Sequence, residues 1–251
     1  MRAMKATIGT VLAVALSMAA VASLAQERGT GVTRLLVTHV RVAPANVGTW
    51  LELQRNEVIP ALKKAGLEDY TTYQTVIGEL PEFVIVRPFA FAEIDATDPL
   101  DRALGAAAAA PLRAKLGACT ESMHRSIENR HDDLYLNPGA ASVLFVSRYR
   151  ALPGRARDYM SFVRSEMYPV MKQAQENGTS AGLSVTTSVQ GGEPGIITLN
   201  MHYDNFAPLD GPPPVAKTLG PEGTAAFLSK GAGLITQVDQ SVWRRVADLS
   251  F

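Results

Sequence analysis

The hexapeptide Arg55-Asn56-Glu57-Val58-Ile59-Pro60 lies inside a stretch with the periodicity of an amphipathic helix. Arg164-Ser165-Glu166-Met167-Tyr168-Pro169 repeats its Arg, Glu and Pro 109 positions later. A proline inside a helix removes a backbone donor and crowds the preceding turn, so one that recurs in the same frame is not filler. Laying Leu35 to Ala65 over Leu144 to Ala174 at this offset gives nine identities in 31 positions: Leu35, Val37, Arg41, Pro44, Arg55, Glu57, Pro60, Lys63 and Ala65. Ordinary residue usage gives about two. With the offset widened to 115, Leu104-Gly105, Lys115, Ser126, Arg130, Asp133 and Leu134 match Leu219-Gly220, Lys230, Ser241, Arg245, Asp248 and Leu249. The spacing predicts two copies of one unit, residues 33–136 and 142–251, joined by the turn-forming Asn137-Pro138-Gly139.

Each copy reads in one order. A β-rich run opens it, LLVTHVRV in the first and VLFVSRYR in the second. A helix follows, with Val47, Leu51, Val58 and Leu62 on one face, echoed by Ala156, Met160, Met167 and Met171. Then come two strands (TTYQTVI and EFVIVRPF; LSVTTSV and GIITLNMHY). A short helix is expected around Pro111 to Leu116 and Pro221 to Lys230, and a polar alternating strand closes each copy (ESMHRSIENR; TQVDQSVWRR). The order βαββαβ is the ferredoxin-like unit, an α+β arrangement with both helices on one face of a four-stranded sheet. Two such units in one chain can cover each other's bare faces, sheet against sheet, and close an intramolecular α+β barrel around a cavity.

Three segments, HVRVAPANVGTWLELQRNEVIPALKKAG, RYRALPGRARDYMSFVRSEMYPVMKQAQ and LGPEGTAAFLSKGAGLITQVDQSVWRRVADLS, resemble the dimeric α+β barrel superfamily in its tandem, fused form. The resemblance implies that fold and leaves activity open. Members include cofactor-free monooxygenases, lactone isomerases, polyketide cyclases, haem enzymes and proteins without a known reaction, and fold analogy does not choose among them.

The 251 residues are 47% hydrophobic and 19% charged, which suits a folded core and not disorder. Lys plus Arg equals Asp plus Glu at 24 each, so nothing in the charge balance favours nucleic acid, and a small-molecule ligand is the expected partner. Residues 1–25 combine Arg2 and Lys5, an apolar run and a Ser23-Leu24-Ala25 cleavage pattern. They are expected to be a signal peptide of an exported, periplasmic or secreted protein with no membrane attachment after cleavage. Cys119 is the sole cysteine, so no disulfide framework forms.

Strand side chains alternate faces. Leu36, Val40, Val42, Phe145 and Tyr149 are assigned to the helices, which aims His39, Arg41, Arg148 and Arg150 into the cavity. In the closing strands His124, Ser126, Glu128, Arg130, Asp239, Ser241, Trp243 and Arg245 face the same way. The cavity is therefore expected to be polar and mostly cationic. Inward arginines need counter-charges. Either Glu128 and Asp239 pair with Arg41, Arg130, Arg150 and Arg245 in a structural network, or these arginines lie at the exposed strand ends, or an anionic ligand meets them. Positions that differ between the copies are the better site candidates, namely His39 against Arg148, His124 against Asp239 and Glu128 against Trp243. His39 and His124 are the acid–base candidates, and Arg41, Glu128, Arg148, Arg150, Trp243 and Arg245 the ligand contacts.

No histidine spacing resembles a metal set, so no metal site is expected. No cofactor is expected either. Chlorite dismutases also use two ferredoxin-like halves, but the second half here offers haem only His202, without an aromatic-rich pattern around it, which keeps a haem-binding, chlorite dismutase-like protein as the lesser alternative. Three function classes remain: an enzyme acting on a small polar or aromatic metabolite, an envelope ligand-binding protein, and an interaction or stress protein. With both halves in one chain a monomer suffices for the barrel, and a homo-oligomer is equally compatible with the sequence.

Overall fold

The computed structural model describes residues 31–79 and 82–251. The expected signal peptide and residues Leu80 and Pro81 lie outside the described residues. The chain forms β1 (Val32–Val42), helix α1 (47–64), β2 (Thr71–Ile77), β3 (Glu82–Pro88), α2 (Pro99–Leu104), α3 (Ala106–Cys119) and β4 (Thr120–His131). Then follow β5 (Val143–Ala151), α4 (156–176), β6 (Gly182–Gln190), β7 (Ile196–Tyr203), α5 (Pro214–Ala232) and β8 (Ile235–Arg245). The eight strands close an antiparallel barrel in the order β1-β3-β2-β8-β5-β7-β6-β4. Strands β4-β1-β3-β2 thus lie together, as do β8-β5-β7-β6. The two groups join through β2 on β8, with Tyr73 opposite Arg245, and β4 on β6, with Arg130 opposite Thr186. Because neighbouring strands alternate in direction, β1 and β5 point the same way, and the β2–β3 and β6–β7 hairpins share one end of the barrel.

Burial sorts the strand residues into two faces. Outside, Val40, Val42 and Phe83 pack against Trp50, Val58, Ile59 and Leu62 of α1. Leu183, Val185, Ile197 and Leu199 pack likewise against Tyr159, Phe162, Val163 and Met171 of α4. Inside, Leu35, Val37, Val84, Leu144, Val146 and Trp243 form a smaller apolar cluster. Apolar residues on both faces of β1 and β5 explain why those strands read as near-continuous hydrophobic runs.

The opening hexapeptide accounts for a shared irregularity. Each long helix carries a π-turn, at Gln54–Val58 in α1 and Val163–Met167 in α4. The Ile59 N–H reaches back five residues to the Gln54 carbonyl, and the Tyr168 N–H to that of Val163. Pro60 and Pro169 follow immediately. Their rings would press on the carbonyl four residues back in a regular α-turn, and a widened turn relieves that clash. Glu57 and Glu166 hold Lys115 and Lys230 at 3.3 and 2.8 Å, so they tie α1 to α3 and α4 to α5.

The short helices are longer than the sequence reading expected. Instead of 111–116 there are α2 and α3. Asp98 caps α2 by accepting from the Leu100 N–H at 2.9 Å, and Pro99 stands at the first helical position, where a missing N–H costs nothing. Instead of 221–230, α5 runs from Pro214 and is broken at Gly220. Gly105 (φ 80°) and Gly220 (φ 69°) occupy the left-handed region, which is why Leu-Gly recurs there and each helix breaks at that point.

Candidate functional site

A cavity of about 860 Å³ fills the barrel interior. Leu35, Val37 and His39 of β1 and Leu144, Val146 and Arg148 of β5 line it, as strand alternation predicts. So do His124, Ser126 and Glu128 of β4, and Asp239, Ser241 and Trp243 of β8. The hairpin residues Gly78, Glu79 and Gly191 to Pro194 belong to the lining too, which places the charged groups toward the hairpin end.

The charge pattern corrects the expectation. Five carboxylates line the cavity, Glu79, Glu82, Glu128, Glu193 and Asp239, against the one arginine Arg148. Arg41 pairs with Glu79 and Arg150 with Glu193. Both arginines stand at strand ends and outside the lining, because the last inward position of a strand reaches the rim before it reaches the interior. Arg130 pairs with Asp132 at 3.0 Å beyond the end of β4. The expected network of Glu128 and Asp239 with Arg41, Arg130, Arg150 and Arg245 does not form. Glu128 instead accepts from the Thr186 hydroxyl at 2.5 Å, and Asp239 pairs with Arg148 at 2.7 Å, its cross-strand neighbour.

His39 sits in the most developed constellation. Its Nδ1 is 3.0 Å from Glu82 Oε1. Glu82 stands opposite Arg41, so its carboxylate reaches His39 diagonally across β1 and β3. The His39 ring meets Trp243 edge-to-face at 6.1 Å between centroids, and Trp243 lies 6.0 Å from the Tyr73 ring. These side chains form a row from the hairpin end toward the opposite end. Trp243 is 8% exposed. Burial pushes the Tyr73 hydroxyl up to about 12, with the Arg245 charge opposing, so Tyr73 stays a donor at neutral pH. His124 lines the same cavity but is exposed. Arg245, half-buried beside its register partner Tyr73, also stands outside the lining, at the end of the cavity away from the hairpins.

The sequence reading passed over one wall. Ser184, Thr186 and Ser188 of β6 and Thr198, Asn200 and His202 of β7 all line the cavity. Polar residues at every second position, Ser184, Thr186 and Ser188 in β6 and Thr198, Asn200 and His202 in β7, within largely apolar runs were the available signal. His202 is 7% exposed, with Nε2 3.3 Å from Ser184 Oγ, and burial depresses its pKa to about 4, so it is neutral. Haem ligation through that nitrogen would break this hydrogen bond. Among the described residues no group of three or more His, Cys, Asp or Glu is clustered to hold a metal ion.

A second cleft, of about 850 Å³, lies outside the barrel between Leu36, Arg87 and Ile127 and the loop following β3. Its Arg87 and Asp98 already pair with Glu93 and Arg113, both at 2.7 Å, so the barrel interior is the stronger site.

No protein-family model and no curated protein matches the chain. Solved structures do. A candidate monooxygenase from Lactobacillus acidophilus superposes with a TM-score of 0.55 at 13% identity, over 85% of this chain and 94% of that one. An anthrone oxidase-like protein gives 0.56 at 11% identity, over 87% and 92%. A candidate monooxygenase from Fusobacterium nucleatum gives 0.53 at 8% identity, over 87% and 94%. The shared fold is the dimeric α+β barrel. At such identities the likeness extends to the fold alone, and the chemistry rests on the residues of this barrel.

Proposed function

We propose that the protein binds a small polar or aromatic metabolite inside the barrel and moves a proton on it, with His39 as the acid–base group. One observation carries the reading: the 3.0 Å His39–Glu82 pair opens onto a cavity of about 860 Å³. A carboxylate at Nδ1 keeps the proton on that nitrogen and leaves Nε2 to accept a proton from the ligand and return it. Apolar Leu35, Val37, Leu144 and Val146 hold the ligand body, and Trp243 offers its ring. The fold neighbours described as candidate monooxygenases and an anthrone oxidase-like protein agree with transformation of a small molecule.

The reading extends to the whole chain. We take the two βαββαβ halves to be fused copies of one ferredoxin-like unit, supported by the recurring residues and the matching strand orders. We take the protein to be exported, on the strength of residues 1–25, and to work without a resident metal. A second reading, non-catalytic binding, is favoured by the Ser184, Thr186, Thr198 and Asn200 wall, whose neutral groups can hold a ligand without reacting with it.

Incubating the protein with metabolite extracts and following them by mass spectrometry separates the two. Consumption by the wild type, lost in His39→Ala while the affinity for the consumed compound persists, supports catalysis. Retention of a compound unchanged by both proteins supports binding alone. Turnover unaffected by His39→Ala would refute the assignment of His39.

A further inference from the structure

Arg130 and Arg245 occupy equivalent positions at the ends of β4 and β8, yet only one is neutralised. Arg130 donates to Asp132 at 3.0 Å and to Thr33 at 3.2 Å, and lies 4.3 Å over the Tyr135 ring. At the same steps after Arg245 stand Ala247 and Ser250, so both the counter-charge and the aromatic ring are missing. The Ser250 hydroxyl is already given to the Val246 carbonyl at 2.8 Å. Asp248 turns away to Arg55. Two residues of the same parity on β8, Trp243 in the cavity lining and Arg245 just beyond it beside Tyr73, are left with buried donors, Trp243 Nε1 and Arg245 Nε, that have no hydrogen-bond partner among the described residues. Trp243 is more than nine-tenths buried in the cavity wall. Tyr73 lies opposite Arg245 and beside Trp243. A buried unpaired donor is costly, and two on one strand face beside a cavity describe a receptor for an acceptor that arrives from outside.

We propose that the end of the cavity away from the hairpins binds the anionic group of the ligand, a carboxylate or sulfonate held by Arg245, Trp243 Nε1 and the Tyr73 hydroxyl. The ligand is then an organic acid whose apolar body lies along Trp243 and whose far end reaches His39. This rests on the barrel interior being the ligand site, and it adds the charge of the ligand and the direction in which it lies.

The test uses 1-anilinonaphthalene-8-sulfonate and its uncharged counterpart N-phenyl-1-naphthylamine as fluorescent probes of the full-length protein. Replacing Arg245 by Gln should weaken the sulfonate about tenfold, the worth of one charge-assisted hydrogen bond, and leave the neutral probe unchanged. Ala247→Asp, which restores the missing carboxylate at an exposed position and removes no contact, should act in the same direction. Arg130→Gln should affect neither probe, since Arg130 is already paired. Equal losses for both probes, or an Arg130→Gln effect as large as that of Arg245→Gln, would overturn the anion site while leaving the cavity reading intact. Val146→Trp, which fills the cavity from β5, separates the two ideas: if both probes bind it as they bind the wild type, the cavity reading itself fails.

Discussion

Arg55 of α1 and Asp248, just beyond the last strand, meet at 2.5 Å, and Arg164 of α4 meets Asp133, just beyond β4, at 2.7 Å. Each pair links the long helix of one half to the closing segment of the other. Four recurring pairs thus hold helices, Glu57–Lys115 and Glu166–Lys230 within a half and Arg55–Asp248 and Arg164–Asp133 across halves.

These pairs are about half exposed, so each contributes little. Arg55→Ala should cost about 0.5 kcal/mol, and a double-mutant cycle with Asp248→Ala should show a coupling of similar size that fades in high salt. Urea unfolding at two ionic strengths measures it. A coupling above about 2 kcal/mol, or one indifferent to salt, would contradict this account.

Trp50 is 2% exposed and stacks on Phe83 at 4.3 Å between centroids. Truncation to Ala removes the largest side chain between α1 and the sheet and should cost about 3–5 kcal/mol in chemical denaturation. A loss below about 1 kcal/mol would mean that this interface is not packed as described.

Gly191, in the β6–β7 hairpin at the cavity rim, has φ 73°, and an added Cβ would lie 2.4 Å from the Arg125 carbonyl oxygen. Both backbone strain and a clash with backbone follow, so Gly191→Ala should lose about 1–3 kcal/mol. A midpoint equal to the wild type in the same unfolding assay would reject this.

His202 is held neutral by burial, its pKa lowered to about 4 from an ordinary 6.5. The unfolded chain therefore binds the proton first as pH falls, and stability decreases from about pH 6.5 down through pH 4, being fully present above that window. His131 is shifted the same way, by burial and by the Arg164 charge, so the comparison must be with a variant. His202→Gln should flatten the wild-type dependence over this window by an amount on the order of 2–4 kcal/mol. Parallel curves for the two proteins would show that His202 is not the titrating group.

Glu82→Gln keeps the size of the side chain and removes the charge that orients His39. If His39 works as proposed, turnover should fall about tenfold to a hundredfold while ligand affinity holds. Loss of affinity with turnover intact would assign Glu82 to binding.

Much of the barrel was legible in the chain. Period-two and period-3.6 patterns marked every strand and both long helices, and the recurrence of Arg, Glu and Pro marked equivalent places in the two halves. Alternation alone put His39, His124, Glu128, Arg148 and Trp243 on the inner face, because the direction of a strand side chain follows from its parity. The Ser184–Ser188 and Thr198–His202 wall obeyed the same rule, but its polar members stood among residues apolar enough to read as packing.

Parity says which face a side chain takes, and not how far along the barrel it lies or which charge it meets. Register between strands set those, since it depends on pairings across the whole chain. Arg41 and Arg150 went to the rim with Glu79 and Glu193, Asp239 went to Arg148, and Glu82, a residue at a strand start, became the partner of His39. Local sequence thus determined the strands, the long helices and their faces, while closure of the barrel decided which residues share the cavity, because only there do β1, β3 and β8 bring His39, Glu82 and Trp243 around one space.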